Sequence, residues 1–372
     1  MKLFILNLSY RSIIKPDMPI GEYLEEHRNK KSYNAMNNRL LYIAFGLLVI
    51  FSSCKRPSTY DNFTGFAQGT TYSMIFENNG KLDPVQVKSG VEKILHEFDM
   101  SLSLYQDSSI LSKVNRNENP DLDTYFTEAF NRSAEINKLT DGAFDITVGP
   151  VVKAWGFGPD SRKSFSESKR DSLMDLVGMG KVKIVNGKVQ KSDPRISLDF
   201  NAIAQGYSVD VICSHFDSMK INSYLVEIGG EVRVKGSKGG DYWKIGIDRP
   251  EDNNFIPGNN LQAIIKLKDR SLATSGNYRK FYVENGIKYS HTIDPKTGYP
   301  AKNQLLSATI LAGDCGTADG IATACMVFGK EKTIEFLKNH PEFEAFLVFS
   351  DDNGNFKTWF SEKLKGFISE PE

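Results

Sequence analysis

Apolar positions fall into three rhythms along this chain, and each predicts a different kind of element. The first is an unbroken run at residues 40–51 (LLYIAFGLLVIF), which follows Arg39 and ends at SSCKRP. It is shorter than the ~20 residues that a membrane-spanning helix requires. Its basic flank, apolar centre and small-residue exit predict a secretory signal, the alternative being a short transmembrane anchor. Residues 1–35 are polar, an odd preface to a signal, whereas Met36-Asn37-Asn38-Arg39 makes an ordinary signal start. Translation is therefore expected to begin at Met36, with residues 1–35 a non-native extension.

The second rhythm is helical. Asp83-Pro84 supplies an N-cap and a first-turn proline, and Val87, Val91, Ile94, Leu95 and Phe98 follow on one face. Phe126, Ala129, Phe130 and Ala134 repeat similarly, predicting a helix over 124–139 that stops at TDGAFD. The third rhythm is strand-like: TTYSMIFE, then RISLDF, YLVEIGGEVRVKG, WKIGID and QAIIKLK, broken by Gly, Asp and Pro. LSATILA and AFLVFSD read as strands flanking helical TADGIATACMVFG and EKTIEFLKN. No internal repeat interrupts this order, so a mixed helix-and-sheet body of roughly two typical domain lengths is expected.

Charge and cysteine usage narrow the picture. The 372 residues carry 46 basic and 46 acidic side chains with no long single-sign block, so a polynucleotide-binding surface is not indicated. Small residues before Cys54 resemble a lipobox, where bacterial lipoproteins are acylated and cleaved, with Phe51 at the usual Leu position. Residues 36–54 then form a lipoprotein signal, 55–65 a polar tether, and 66–372 the folded body. Cys213, Cys315 and Cys325 lack metal-site spacing. Cys315 and Cys325 pairing is one reading; buried free thiols is the preferred one.

Four stretches carry candidate chemistry. Asp319 and Thr323, four apart, present a carboxylate and a hydroxyl on one helix face, hard oxygen ligands that suit Mg²⁺ or Ca²⁺. The alternative, preferred on this segment alone, is that both merely serve the helix N-terminus. Residues 139–159 combine four glycines and two prolines with Phe144, Trp155 and Phe157, as expected of a ligand-lining loop or of a turn-rich core corner. Residues 289–300 hold His291 and a turn at Asp294-Pro295; residues 273–281 add Ser275, Gly276 and Asn277. GxGxxG, Walker A, HExxH and GxSxG are all missing, which removes the commonest dinucleotide, triphosphatase, zinc-protease and serine-hydrolase templates.

Taken in order, AQGTTYSM, DMSLSLYQDSSILSKVN, DGAFDITVGPVVKAWGFG, ISLDFNAIAQGYSVD, YLVEIGGEVRVKG, LATSGNYRKFY, HTIDPKTGYP and TADGIATA resemble the ApbE family of flavin transferases across essentially the whole body. The resemblance implies an α+β fold of two intimately joined lobes with FAD in the cleft. It implies Asp199, Gln205 and Thr292 as FAD-site residues, with Gln205 standing where the family usually has Lys or Glu. Tyr105 becomes a flavin- or adenine-contacting aromatic, Ala143, Phe144 and Asp145 lie along the cofactor, and Gln68 fills a place often held by Met. Asp319, Thr323 and the backbone of Ala202 become magnesium ligands, reversing the local preference. His291 and Asp294 are the candidate catalytic bases, either of which can instead be architectural.

The implied activity is Mg²⁺-dependent transfer of FMN from FAD to a threonine hydroxyl of a partner protein with release of AMP. The implied acceptor carries an FMN-binding domain, NqrC- or RnfG-like, as in Na⁺-pumping NADH:quinone oxidoreductase or Rnf-type complexes. Alternatives are an FAD pyrophosphatase that releases FMN and AMP, or a lipoprotein that holds FAD without chemistry. With lipid on Cys54, the expected location is the bacterial cell envelope, facing the periplasm on either membrane.

Overall fold

The computed structural model describes residues 59–371 except 158–166, 252–253, 255–257, 278–280, 285–286 and 291. The signal run, Cys54 and His291 therefore lie outside the described residues. From the N-terminus the order is β1 (Tyr60–Ala67), β2 (Thr70–Glu77), α1 (Pro84–Leu102), α2 (Ile110–Asn115), α3 (Thr124–Leu139), α4 (Gly149–Trp155) and α5 (Glu167–Met174). Next come β3 (Val182–Val185), β4 (Lys188–Lys191), α6 (Ala204–Ser218), β5 (Tyr224–Ile228), β6 (Glu231–Lys235), β7 (Trp243–Asp248) and β8 (Leu261–Leu267). The chain ends with β9 (Arg270–Gly276), β10 (Phe281–Glu284), β11 (Ile287–Ser290), β12 (Leu305–Ala312), α7 (Cys315–Asn339), β13 (Glu344–Ser350), β14 (Phe356–Phe360) and β15 (Ile368–Ser369).

The centre is an eight-stranded sheet in the order β1-β2-β5-β6-β9-β12-β13-β14, with every pairing antiparallel. Alternation decides its faces. Tyr72, Met74 and Phe76 of β2 point with Tyr224, Val226 and Ile228 of β5 onto α1 and α6, packing against Val87, Val91, Leu95, Val209, Ile212 and Phe216. Further along the same layer, Ala308 and Ile310 of β12 and Leu347 of β13 join α3 and α7 in the largest apolar cluster. The opposite face of β6, β9, β12 and β13 is covered by a three-stranded sheet, β15-β8-β7, through Trp243, Ile245, Ile247, Ile265 and Leu267. The large sheet is thus buried on both sides over its middle strands.

Helix boundaries follow local chemistry. Asp83 accepts from the amide of Val85 to cap α1, and Asp123 accepts from Phe126 to cap α3. The helices expected at 84–98 and 124–139 are both present, as are the strands WKIGID and QAIIKLK, and the strand-like YLVEIGGEVRVKG forms two, β5 and β6, paired antiparallel. Two readings change. Residues 60–65, assigned to the tether, pair along their length with β2, from Tyr60 opposite Glu77, and so belong to the body. RISLDF is not a strand: Ile196, Leu198 and Phe200 are buried in alternation, but the backbone bonds of this segment go elsewhere. Leu198 exchanges both of its backbone bonds with the side-chain amide of Asn115, and the Asp199 amide donates to the Ile146 carbonyl at 2.8 Å. Strand-like periodicity records burial, whereas a strand also needs a neighbouring backbone.

The three cysteines are buried free thiols, so Cys315 and Cys325 are not paired. Among the described residues no helix is long and apolar enough to cross a membrane. Phe200 is fully buried and meets Phe126 edge-to-face with ring centroids 5.4 Å apart. Phe200→Ala should cost about 3–5 kcal/mol of stability, measured by urea unfolding; a loss below about 1 kcal/mol would mean that this segment does not anchor the core.

Candidate functional site

The site is built where the N-terminal turns of α6 and α7 meet. Gly206 lies on α6 so close to α7 that a Cβ there would sit 2.4 Å from the Cys315 carbonyl oxygen and 2.8 Å from the Asp319 Cβ, a distance only glycine permits. Its amide donates to Asp319 Oδ2 at 3.1 Å. In a regular helix that amide would take the carbonyl four residues back, which is Ala202. Instead the Ala202 carbonyl accepts from no amide among the described residues, while the next amide, of Tyr207, takes the Ile203 carbonyl.

Asp319 is 6% exposed, and the Gly206 amide is the partner of its carboxylate. Burial pushes its pKa up to about 7, against the lowering influence of that amide. Helix-end service is not its role: the N-cap of α7 is Asp314, whose carboxylate accepts from the Thr317 amide at 2.9 Å. One turn beyond Asp319, the Thr323 hydroxyl shares a 3.2 Å hydrogen bond with Ser275 on β9. Asp319 and Thr323, one turn apart on α7, and the Ala202 carbonyl are hard oxygen donors, and among the described residues no cation is paired with Asp319; donors of this chemistry suit a small divalent metal ion. Among the described residues no group of three or more His, Cys, Asp or Glu is arranged to hold a metal ion. A carbonyl and a hydroxyl would have to complete the set.

Other expected residues assemble around this centre. Gln68 occupies the two-residue β1–β2 turn with Gly69, both at positive φ (53° and 73°). Its Oε1 accepts from Ser208 Oγ on α6 at 3.2 Å, and its Nε2 is buried without a hydrogen-bond partner. Gln205, also on α6, lies against Gly229 in the β5–β6 turn, where a Cβ would meet Gln205 Nε2 at 2.5 Å. Tyr105 is 65% exposed, and its phenol pKa is raised by partial burial and, after that, by the charge of Asp199.

Ala143 and Phe144 are buried in the largest apolar cluster, with Phe144 packed beneath Gly320 of α7. The Asp145 carboxylate is taken up locally, by the Thr147 amide and hydroxyl, the Met179 amide and Asn137 Nδ2. It fixes the loop that carries those residues. Thr292 is buried, and its carbonyl accepts from the Ala301 amide. Asp294 sits in a turn: its Oδ1 accepts from the Lys296 amide at 2.8 Å and its carbonyl accepts from Gly298. That turn docks on the glycine-rich segment through Trp155 Nε1 donating to the Gly298 carbonyl and through a Lys296–Asp141 ion pair.

The ApbE family model matches residues 68–347. The chain belongs to the ApbE family. It is 32% identical to the FAD:protein FMN transferase of Vibrio cholerae over 334 residues, 88% of this chain and 98% of that protein. The Escherichia coli K12 FAD:protein FMN transferase is 31% identical over 76% of this chain and 82% of its own length. Among solved structures, flavin transferase ApbE from Vibrio cholerae superposes with a TM-score of 0.75 at 33% identity, covering 84% of this chain and all of that one. The apo form of Pseudomonas stutzeri flavinyl transferase ApbE gives 0.76 at 29% identity, covering 85% of this chain and 98% of its own. The mixed helix-and-sheet fold expected from the sequence is thus the fold of this family.

Two residues of this ApbE-family chain escaped the sequence reading. Asn115 holds the segment bearing Asp199, and Asp210 binds the first amides of α7. Each acts across more than 80 residues of chain, so neither has a local sequence signature beyond being polar within an apolar period.

The raised Asp319 pKa has a stability consequence. Below pH 4 the acid is protonated in both folded and unfolded chains; between pH 4 and 7 the unfolded chain loses the proton that the folded chain keeps, so stability falls as pH rises. In EDTA, wild type should lose roughly 2–4 kcal/mol relative to Asp319→Asn between pH 4 and pH 8 by urea unfolding. A pH-independent difference would show that the carboxyl ionises as readily folded as unfolded.

Proposed function

We propose that this ApbE-family transferase moves FMN from FAD to a threonine hydroxyl of a partner protein, with Mg²⁺ held by Asp319, Thr323 and the Ala202 carbonyl. The observation that carries the reading is the buried Asp319, whose partner among the described residues is a backbone amide and not a cation, together with an Ala202 carbonyl that accepts from no described amide. The names of the Vibrio cholerae and Escherichia coli relatives support flavin transfer. A bound Mg²⁺ would neutralise pyrophosphate oxygens and orient the phosphorus for in-line attack.

The chain's own groups have separable tasks. Asp319 supplies negative charge in a water-poor pocket, where its attraction for a cation is strongest. The unpartnered Gln68 Nε2 and the neighbouring Gln205 offer amide donors at the mouth of α6. Tyr105 offers an exposed aromatic ring, suited to stacking on a flat ring. The acceptor oxygen would bond to the FMN-side phosphorus as the phosphoanhydride bond to AMP breaks, and the hydroxyl proton would leave with a base. Asp294, whose Oδ1 accepts from the Lys296 amide, and His291 are the candidates for that base.

FAD would occupy a cleft lined by these groups, and the acceptor would be a protein with an FMN-binding domain, NqrC- or RnfG-like. A lipid on Cys54 would hold the enzyme at the envelope, facing the periplasm.

Incubation with FAD, Mg²⁺ and such an acceptor should add one FMN phosphoester to the acceptor by intact mass, and EDTA should abolish the gain. Free FMN and AMP with an unmodified acceptor would replace this reading with a pyrophosphatase. Asp319→Ala should reduce transfer at least a hundredfold, since an essential metal ligand is lost; activity near wild type would sink the metal assignment. Cys54→Ala should abolish incorporation of labelled lipid in cells, and undiminished labelling would remove the anchor.

A further inference from the structure

We infer that Asp210 is a positioning residue that fixes the register of α7 on α6 and thereby delivers Asp319 to the metal position. This rests on the metal reading proposed above. Asp210 is 3% exposed and none of its hydrogen bonds reaches the candidate ligands directly. Its Oδ1 accepts from Arg233 Nη1 at 2.6 Å and from the Cys315 amide at 2.9 Å. Its Oδ2 accepts from the Gly316 amide at 2.9 Å, the Cys315 amide at 3.0 Å and Arg132 Nη1 at 3.3 Å. Arg132 Nη1 also binds Asp314, the N-cap of α7, at 2.7 Å, and Arg132 Nη2 binds Glu128 on its own helix.

The geometry is that of two rungs. Gly206 and Asp210 are four apart on α6; Cys315 and Asp319 are four apart on α7. The upper rung joins the Gly206 amide to Asp319, and the lower joins Asp210 to Cys315 and Gly316. Each pair is separated by about one helical turn, ~5.4 Å, so the rungs match only at one axial setting of α7. The upper rung is a single hydrogen bond between a glycine amide and the acid that must also bind metal. The lower rung is a carboxylate against two amides at the positive end of a helix, reinforced by two guanidinium groups. Register must therefore be held at the lower rung.

A buried ion network by itself argues weakly for stability, because desolvation offsets most of the attraction. Burial works against the charge on Arg233, yet the Asp210 charge and hydrogen bond outweigh it and raise the guanidinium pKa. Burial and the nearby Asp314 charge push the Asp210 pKa up, while the Cys315 and Gly316 amides and Arg233 pull it down; the network sits one turn from the proposed metal ligand. Removing such a support ordinarily weakens a metal site without dismantling it.

The test uses the full chain. Mg²⁺ binding is measured calorimetrically without FAD, together with the half-saturating Mg²⁺ for FMN transfer and the melting temperature in EDTA. Asp210→Asn keeps the size and one acceptor but not the charge. It should weaken Mg²⁺ binding about tenfold and raise the half-saturating Mg²⁺ in step, with transfer recovering at high Mg²⁺ and the KM for FAD changing less than about threefold. A purely structural role would lower the melting temperature and leave Mg²⁺ affinity unchanged, and that result overturns the proposal. Should Asp210→Asn fail to fold, Arg132→Gln, which loosens Asp210 and the α7 cap from a partly exposed position, should weaken Mg²⁺ binding in the same direction; unchanged affinity again overturns it. Asp319→Ala separates the two readings. If it binds Mg²⁺ like wild type, the metal site itself is wrong; if it loses binding while both other variants retain it, only the positioning role is wrong.

Discussion

The approach of α6 to α7 at Gly206 is the constraint on which the rest of the site depends. With no Cβ in the way, two helix N-terminal turns come within van der Waals distance, and one backbone amide leaves its own helix to bind Asp319. That diversion has two effects at once. It frees the Ala202 carbonyl, and it holds a carboxylate in a place where burial raises its pKa to about 7. A larger residue at 206 would separate the helices and remove both.

The scaffold around this contact explains why the acid can stay buried. The antiparallel sheet supports α1, α6 and α7 on one face and the smaller β15-β8-β7 sheet on the other, so α7 is clamped along most of its length by apolar packing. Its first three amides are each satisfied by a carboxylate, Cys315 and Gly316 by Asp210 and Thr317 by Asp314. A helix start anchored in this way leaves little slack for Asp319, one turn on. Gln68 in the β1–β2 turn and Gly229 in the β5–β6 turn lie against α6, and Ser275 on β9 bonds Thr323 of α7.

Much of the secondary structure was legible in the chain. The helical spacing from Val87 and from Phe126 and the strand alternation in TTYSMIFE each reflect a local period, and each appears as expected. RISLDF was misread because its alternation records burial alone: Asn115 and Ile146 satisfy the backbone where a neighbouring strand would have done so. The start of the body was placed too late because Tyr60–Ala67 gains its order from β2, a partner that composition does not reveal.

The sequence by itself determined the order of helices and strands, the family, and the residue types able to carry the chemistry, because periodicity and motif order are properties of neighbouring residues. Tertiary structure alone decided which of those residues act together. It put Phe144 in the core, committed Asp145 and Asp294 to their turns, and set Asp319 rather than Asp314 apart from helix capping. The reason is physical: whether a carboxylate caps a turn, pairs with arginine or lies buried with a raised pKa depends on what the fold brings against it from distant parts of the chain, and no local pattern encodes that environment.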